Sequence, residues 1–264
     1  MLETDKRGFV VTIGRIASGS KGLSVKAIIF DFIGTLVKVV GYSYEDSIRK
    51  LCKSIVEAGF NVDSASFLEV YKEAHLRYRE IRYGKLVEVT NAVWISEALN
   101  KLGYETTSED KRIKQAVNAF FQDYLESLKT RKCAKKVLKW ASSRYRLGLI
   151  SNFTYAPVIY AALRKLKLAE FFGIILVSHA VGWRKPHPKI FQKALTSLKV
   201  KPEETVFVGD SPREDIEGAK KLGMKTIFVP SQFYNVSMLK TASDCTVKNL
   251  CELPRVIGEI FPII

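Results

Sequence analysis

Apolar and polar residues follow two different rhythms along this chain. In the first, short unbroken apolar runs end in a polar residue or a glycine: Val25-Lys-Ala-Ile-Ile-Phe-Asp31, Arg146-Leu-Gly-Leu-Ile-Ser151, Ile174-Ile-Leu-Val-Ser178, Thr205-Val-Phe-Val-Gly209 and Lys225-Thr-Ile-Phe-Val229. Runs of this length without alternation predict strands buried on both faces, as in a parallel sheet. Helix-length amphipathic segments separate the later runs, the pattern of repeated βαβ units. In the second rhythm, residues 41–129 have a helical period and no convincing strand. Helices are predicted there over 44–58, 65–83, 91–102 and 108–128, with Gly59, Gly84 and Gly103 near their C-terminal stops. The aromatic residues Phe67, Tyr71, Trp94, Phe120 and Phe121 of this stretch fall at spacings typical of a core. The pattern therefore predicts an α/β protein. A Rossmann-like, doubly wound parallel sheet is formed by residues 24–40 and 130–264, an all-helical domain is inserted at 41–129, and residues 1–23 form a loose N-terminal extension.

Composition narrows the setting. With 264 residues, 47% of them apolar, the chain can bury a sizeable core. Its formal charge of +15 fits a nucleic-acid binder, an attractor of anionic substrates or a solvated lysine-rich surface. The charges are dispersed over helices and not clustered with glycines and aromatics, so no specific nucleic-acid partner is expected. Asp31 and Lys38 interrupt the richest apolar stretch, which excludes a spanning helix and a membrane partner. The first residues carry Glu3, Asp5, Lys6 and Arg7 with no apolar h-region, which argues against export. The four cysteines, at 52, 133, 245 and 251, form no C-x-x-C pair and have no histidine at zinc-ligand spacing; a reducing cytosol is the simpler setting, and a cytoplasmic location is expected.

The chemistry lies at the strand ends. In an open parallel sheet, ligands bind beyond the carboxyl ends of the strands, where strand order reverses. Asp31, Ser151 and Asp210 each end or follow an apolar run, while Lys185 and Asp215 lie in loops or first helical turns after other strands. Two carboxylates converging on one site repel unless a proton or a cation lies between them, and hard oxygen ligands suit Mg²⁺. Taken singly, each residue also has a plainer reading: Asp31, Asp210 and Ser151 as helix caps, Lys185 as a solvated loop residue, Asp215 as a partner of Lys220 or Lys221. His75, His179 and His187 receive no role; His187, between two prolines, reads as a turn residue.

Taken together, Asp31-Phe-Ile-Gly-Thr-Leu36, Ser151-Asn152, Lys185-Pro186 and Gly209-Asp-Ser-Pro-Arg-Glu-Asp215 occur in the order seen in haloacid dehalogenase-like hydrolases, and the chain resembles that superfamily over about residues 25–260. The resemblance implies a phosphatase-like hydrolase with a helical cap inserted after the first motif. It implies that Asp31 attacks phosphorus to form an aspartyl-phosphate, which water then cleaves. Mg²⁺ would be held by Asp31, the backbone carbonyl of Ile33 and Asp210, with Asp215 binding through water. Ser151, assisted by Asn152, would hold phosphoryl oxygens, and Lys185 would offset the negative charge. The substrate would be a small phosphorylated or otherwise anionic molecule.

One position departs from the pattern. Phosphatases that this chain resembles carry a second aspartate two residues after the nucleophile, which protonates the leaving group and later activates water; here it is Ile33. Loss of general acid–base catalysis typically removes on the order of 10²- to 10⁴-fold in rate. Three explanations compete: a slow phosphatase or one acting on acyl or aryl phosphates; a dehalogenase-like or phosphonate-cleaving hydrolase; and a catalytically weak phosphoryl-binding module. The phosphonate reading would need a cap lysine such as Lys50, Lys53 or Lys72 as a Schiff-base former. The cap would decide the substrate, closing about hinges at Gly41 and near Thr130. Arg77, Arg79 and Arg82 read as a solvated helix face.

Overall fold

The structure is a computed structural model that describes residues 24–260; the extension expected over 1–23 lies outside them. Six parallel strands, β1 (Ala27–Phe30), β4 (Arg146–Ser151), β5 (Ile174–Val177), β6 (Thr205–Gly209), β7 (Lys225–Phe228) and β8 (Cys245–Thr246), form one sheet in the order β5-β4-β1-β6-β7-β8. β1 lies at the centre, with Phe30 beside Leu149 of β4 on one side and Val208 of β6 on the other. Its four residues are fully buried, and their side chains alternate between two cores. Ile28 and Phe30 join the face covered by α5 (Ala134–Ser142), α6 (Ala156–Lys165) and α10 (Leu253–Ile260), whereas Ala27 and Ile29 join the face covered by α8 (Pro188–Leu198). Two short helices, α7 (Ser178–Val181) and α9 (Gly218–Lys220), complete the layers. The sheet is thus doubly wound and parallel, and a continuous apolar run is what a strand covered on both faces requires.

Between β1 and β4 the chain forms α1 (Tyr44–Glu57), α2 (Ser64–Lys85), α3 (Asn91–Lys101) and α4 (Lys111–Ser127). These helices share an apolar cluster built around Leu51, Phe67, Trp94, Ile113 and Phe120, which Val158 of α6 joins from the sheet domain. Ser43, Asp63 and Asp110 cap α1, α2 and α4 by accepting backbone N–H bonds, which removes orphan donors and fixes where each helix begins. The cap at Asp110 starts α4 three residues later than the apolar period suggests. The chain enters and leaves the lobe through β2 (Val37–Val39) and β3 (Leu128–Thr130), an antiparallel pair that keeps the two linkers side by side.

Three expectations are corrected. Gly84 does not stop α2, which runs to Lys85 and ends on Leu86 in a left-handed conformation (φ 56°). The stop is set from outside the helix: Leu86 O accepts from Arg184 N (3.1 Å), and Glu88 N donates to Gly182 O (2.8 Å). Arg82, unlike the exposed Arg77 and Arg79, is buried and is held by Glu88 (2.7 Å). Cys133 and Cys251, 118 residues apart, are joined by a disulfide between the start of α5 and the turn before α10, leaving Cys52 and Cys245 as buried thiols. Among the described residues no helix is long and apolar enough to cross a membrane.

Candidate active site

The chain leaves β1 toward β4 and leaves β6 toward β7, so the strand order reverses between these two neighbours. Asp31 and Asp210 follow their carboxyl ends at that reversal, and Ser151 ends the adjacent β4. With Ile33, Asn152 and Asp215 they line a cavity of about 220 Å³. All five polar candidates that the sequence singles out near the sheet edge are buried: Asp31, Ser151, Lys185, Asp210 and Asp215 are each 6% exposed or less, which removes the reading of Lys185 as a solvated loop residue.

The ammonium of Lys185 donates to three acceptors, Asp31 Oδ1 (2.7 Å), Asp215 Oδ1 (2.6 Å) and Ile150 O (3.0 Å). Its three N–H bonds are thereby used. Burial by itself lowers the Lys185 pKa, but the carboxylates of Asp215 and Asp31 outweigh it and hold the ammonium charged. Asp215 faces this lysine and not Lys220 or Lys221. Its second oxygen accepts from the backbone N–H groups of Asp210 (3.1 Å) and Ser211 (2.9 Å), so both oxygens are engaged in shaping the loop. Gly209 permits this approach, because a Cβ there would lie 2.4 Å from Asp215 Oδ2.

Asn152 is placed differently from the expectation of a phosphoryl-binding side chain. Its Oδ1 accepts from Lys185 N (2.8 Å) and its Nδ2 donates to Lys185 O (2.9 Å), a reciprocal pair that holds the backbone of the lysine. Arg131, which sequence reasoning missed, bonds the carbonyl of Gly34 and donates to Pro230 O (2.8 Å), tying the loop after β1 to the loop after β7. Nothing local in the sequence marks it, since its acceptors lie about a hundred residues away on either side. Gly34 itself has φ +96°, and a Cβ there would come within 2.1 Å of Asp210 Oδ2.

Two oxygens in the site have no partner, Asp31 Oδ2 and Asp210 Oδ2, although both are buried. Oxygens of Asp31, Asp210 and Asp215 lie within 4.8 Å of one another. Burial, then the charges of Asp31 and Asp215, push the Asp210 carboxyl up to about 8, so the protein alone favours a proton there. The ammonium bonds two of the three carboxylates, and one hard oxygen each of Asp31 and Asp210 is left without a partner. This donor set fits a small, hard divalent cation such as Mg²⁺.

The sequence profile of haloacid dehalogenase-like hydrolases matches residues 25–223, three-quarters of the chain, which include Asp31, Ser151, Lys185, Asp210 and Asp215. The chain belongs to this family. It is 30% identical over 209 residues, 77% of this chain and 80% of the relative, to the glyceraldehyde 3-phosphate phosphatase of Pyrococcus furiosus. A 2-haloacid dehalogenase from Pseudomonas syringae shares the fold with a TM-score of 0.66 at 23% identity, covering 89% of this chain and 99% of that one. A haloacid dehalogenase-like phosphatase from Thermococcus onnurineus does so with a TM-score of 0.54 at 22% identity, covering 89% and 98%. The protein is accordingly a hydrolase, and the family spans both chemistries that the sequence leaves in competition.

Proposed function

We propose that the protein is a Mg²⁺-dependent phosphatase that works through an aspartyl-phosphate on Asp31, and that Ile33 restricts it to substrates whose leaving group needs little protonation. The observation that carries this reading is the pair of unpartnered oxygens on Asp31 and Asp210 beside a saturated Lys185. A site built for metal-free attack on an anionic haloacid would gain nothing from a second buried acid facing the substrate. The relatives named as phosphatases support the same choice.

Asp31, Asp210 and the backbone carbonyl of Ile33 are the groups that would hold the ion. Bound there, Mg²⁺ supplies charge that offsets the repulsion between two carboxylates and an anionic phosphoryl group. Asp215 acts by positioning, since its oxygens are taken by Lys185 and two backbone N–H groups. Lys185 orients the Asp31 carboxylate through Oδ1. Ser151 lines the same cavity, where its hydroxyl holds phosphoryl oxygen. An oxygen of Asp31 forms a bond to phosphorus as the bond to the leaving oxygen breaks. Water then attacks phosphorus, and Asp31 departs as the free carboxylate with release of phosphate. Ile33 lines the cavity and can neither give nor take a proton in either half. The four-helix lobe acts as a cap whose paired linkers β2 and β3, with Gly41 beside them at φ +69°, allow it to rotate over the site.

The test is turnover of aryl, acyl and alkyl phosphates and of 2-haloacids, with Mg²⁺ and with chelator, by wild type and Asp31→Asn. Mg²⁺-dependent phosphate release that Asp31→Asn abolishes is expected. Halide release that persists in chelator would overturn the proposal.

A further inference from the structure

Beside the phosphoryl site lies a second, open cavity of about 330 Å³, lined by the helical lobe and the sheet edge. Tyr124, Asn152, Phe153, Glu214 and Tyr234 line both, so the two spaces adjoin. Ten of the seventeen residues around the second are Phe, Tyr or Trp, in a chain that is 11% aromatic. A wall of this kind presents flat apolar faces, and a volume of this order is that of a small-molecule site.

The wall is broken by polar groups, of which Arg82, Asn91 and Arg184 are buried. Arg184, 3% exposed, gives its Nη1 to Glu88 (3.3 Å to both oxygens) and its Nη2 to Glu214 (3.4 Å), while its Nε has no partner. Arg82 gives only Nε to Glu88 (2.7 Å). Asn91, 4% exposed, leaves Oδ1 unpartnered; its amide offers a donor or an acceptor according to its flip. A buried polar group without a partner is costly, and a ligand group that satisfies it gains that energy. Two guanidiniums with unused donors call for an acceptor on the ligand, a carboxylate above all.

We infer that this cavity binds the leaving group of the substrate, and that the substrate is an aryl phosphate whose ring carries an acceptor substituent, a carboxylate fitting best. The inference rests on the phosphatase reading and deepens it. The ring packs against the aromatic wall, with its substituent reaching Arg184 and Asn91, while the phosphoryl group meets Asp31. As the Asp31–phosphorus bond forms, the aryl oxygen leaves with its electron pair as a phenoxide, which takes a proton from water. A phenoxide is far more stable than an alkoxide, so this chemistry tolerates Ile33 where an alkyl ester would not.

The test compares 3-carboxyphenyl phosphate, phenyl phosphate and glycerol phosphate in wild type and Asn91→Asp. The two phenols have similar acidity, so their comparison isolates recognition of the substituent from leaving-group reactivity. Asn91 is the first residue of α3, where an aspartate suits the helix terminus and leaves folding intact. Wild type should prefer 3-carboxyphenyl over phenyl phosphate, chiefly through KM, and both over glycerol phosphate. Asn91→Asp, which places a negative charge beside the ligand carboxylate, should lower the ratio of the first two by about tenfold or more. Calorimetry with the product 3-hydroxybenzoate should show binding that the same substitution weakens. Equal kcat/KM for all three esters, or a preference ratio that Asn91→Asp does not move, would overturn the inference and leave the phosphatase intact. No turnover of any ester would refute the phosphatase reading, and the aryl phosphate assignment with it, even if 3-hydroxybenzoate bound in an Asn91-dependent way.

Discussion

Lys185→Met offers a direct measure of how the site is held together. Lys185 is 1% exposed and is the cation bonded to both Asp31 and Asp215 at 2.7 and 2.6 Å. Methionine fills nearly the same volume, so the packing term is small and the change is electrostatic. Removing one partner of a buried pair leaves uncompensated charge and costs roughly 3–5 kcal/mol. We therefore expect Lys185→Met to lower stability in chelator near neutral pH by about that amount, read from urea midpoints at constant m. The double variant Lys185→Met/Asp215→Asn removes the charge left behind and should recover a large part of the loss, giving a coupling of about 1–3 kcal/mol in the cycle. Acid supplies a second check. Burial pushes the Asp215 carboxyl up to about 7; once it is protonated it no longer needs the ammonium, so the cost of Lys185→Met should shrink as pH falls below about 7. A cost under about 1 kcal/mol, or strict additivity of the two substitutions, would refute the account of Lys185 as the electrostatic keystone.

Ile33→Asp places a proton carrier beside the proposed nucleophile and should raise kcat on alkyl phosphates at least tenfold, toward the ~10²–10⁴ that general acid–base catalysis provides; the gain on aryl phosphates should be smaller, and steady-state rates on both decide it. The Asp210 carboxyl, pushed up to about 8, lies above its unfolded value, so its contribution to stability is complete below the unfolded carboxylate pKa and is lost as pH rises toward about 8. Mg²⁺ takes the place of that proton, and the Tm increase on adding Mg²⁺ should be larger near about pH 8 than near about pH 6. Gly34→Ala forces a Cβ to within 2.1 Å of Asp210 Oδ2 at a φ of +96°, and should abolish the Mg²⁺-dependent rise in Tm while the far-UV spectrum is kept.

Residues whose signal is local were legible from sequence. β4 and β6 match their apolar runs residue for residue, because each run is bounded by polar residues or glycines and both its faces are covered. The placement of Asp31, Ser151 and Asp210 at the sheet edge is legible for the same reason: a polar residue at the end of a buried strand has few other places to lie. What the sequence concealed depends on partners far along the chain. The end of α2 at Leu86 is fixed by residues 182–184, the role of Asn152 by the backbone 33 residues on, and Cys133 by a partner 118 residues away. Arg82 is instructive because its partner Glu88 is only six residues off, yet a surface ion pair at that spacing would look the same in sequence. In the fold Arg82 lies against the Tyr83 and Trp94 rings, and Arg184 brings a second guanidinium to the same carboxylate.

That shared carboxylate also constrains how the proposed cap can move. Two adjacent linkers alone would let the lobe turn as a door on β2 and β3. The lobe is also attached where α4 packs on α6 and Glu126 pairs with Lys165, and again where Glu88 and Leu86 exchange backbone hydrogen bonds with Gly182 and Arg184 and Glu88 binds the Arg184 side chain and Ser178 Oγ. Arg184 directly precedes Lys185, so this attachment lies one residue from the ammonium that orients Asp31. Two backbone bonds contribute together about 1–3 kcal/mol, before any term for separating Glu88 from its guanidinium. A rotation that kept the attachment would leave Lys185 in place, whereas one that broke it would loosen the lysine loop as the lobe opened. In the second case cap position and the alignment of Asp31 would form one equilibrium. Substitutions at Glu88, which touches neither Asp31 nor Asp210, would then change turnover.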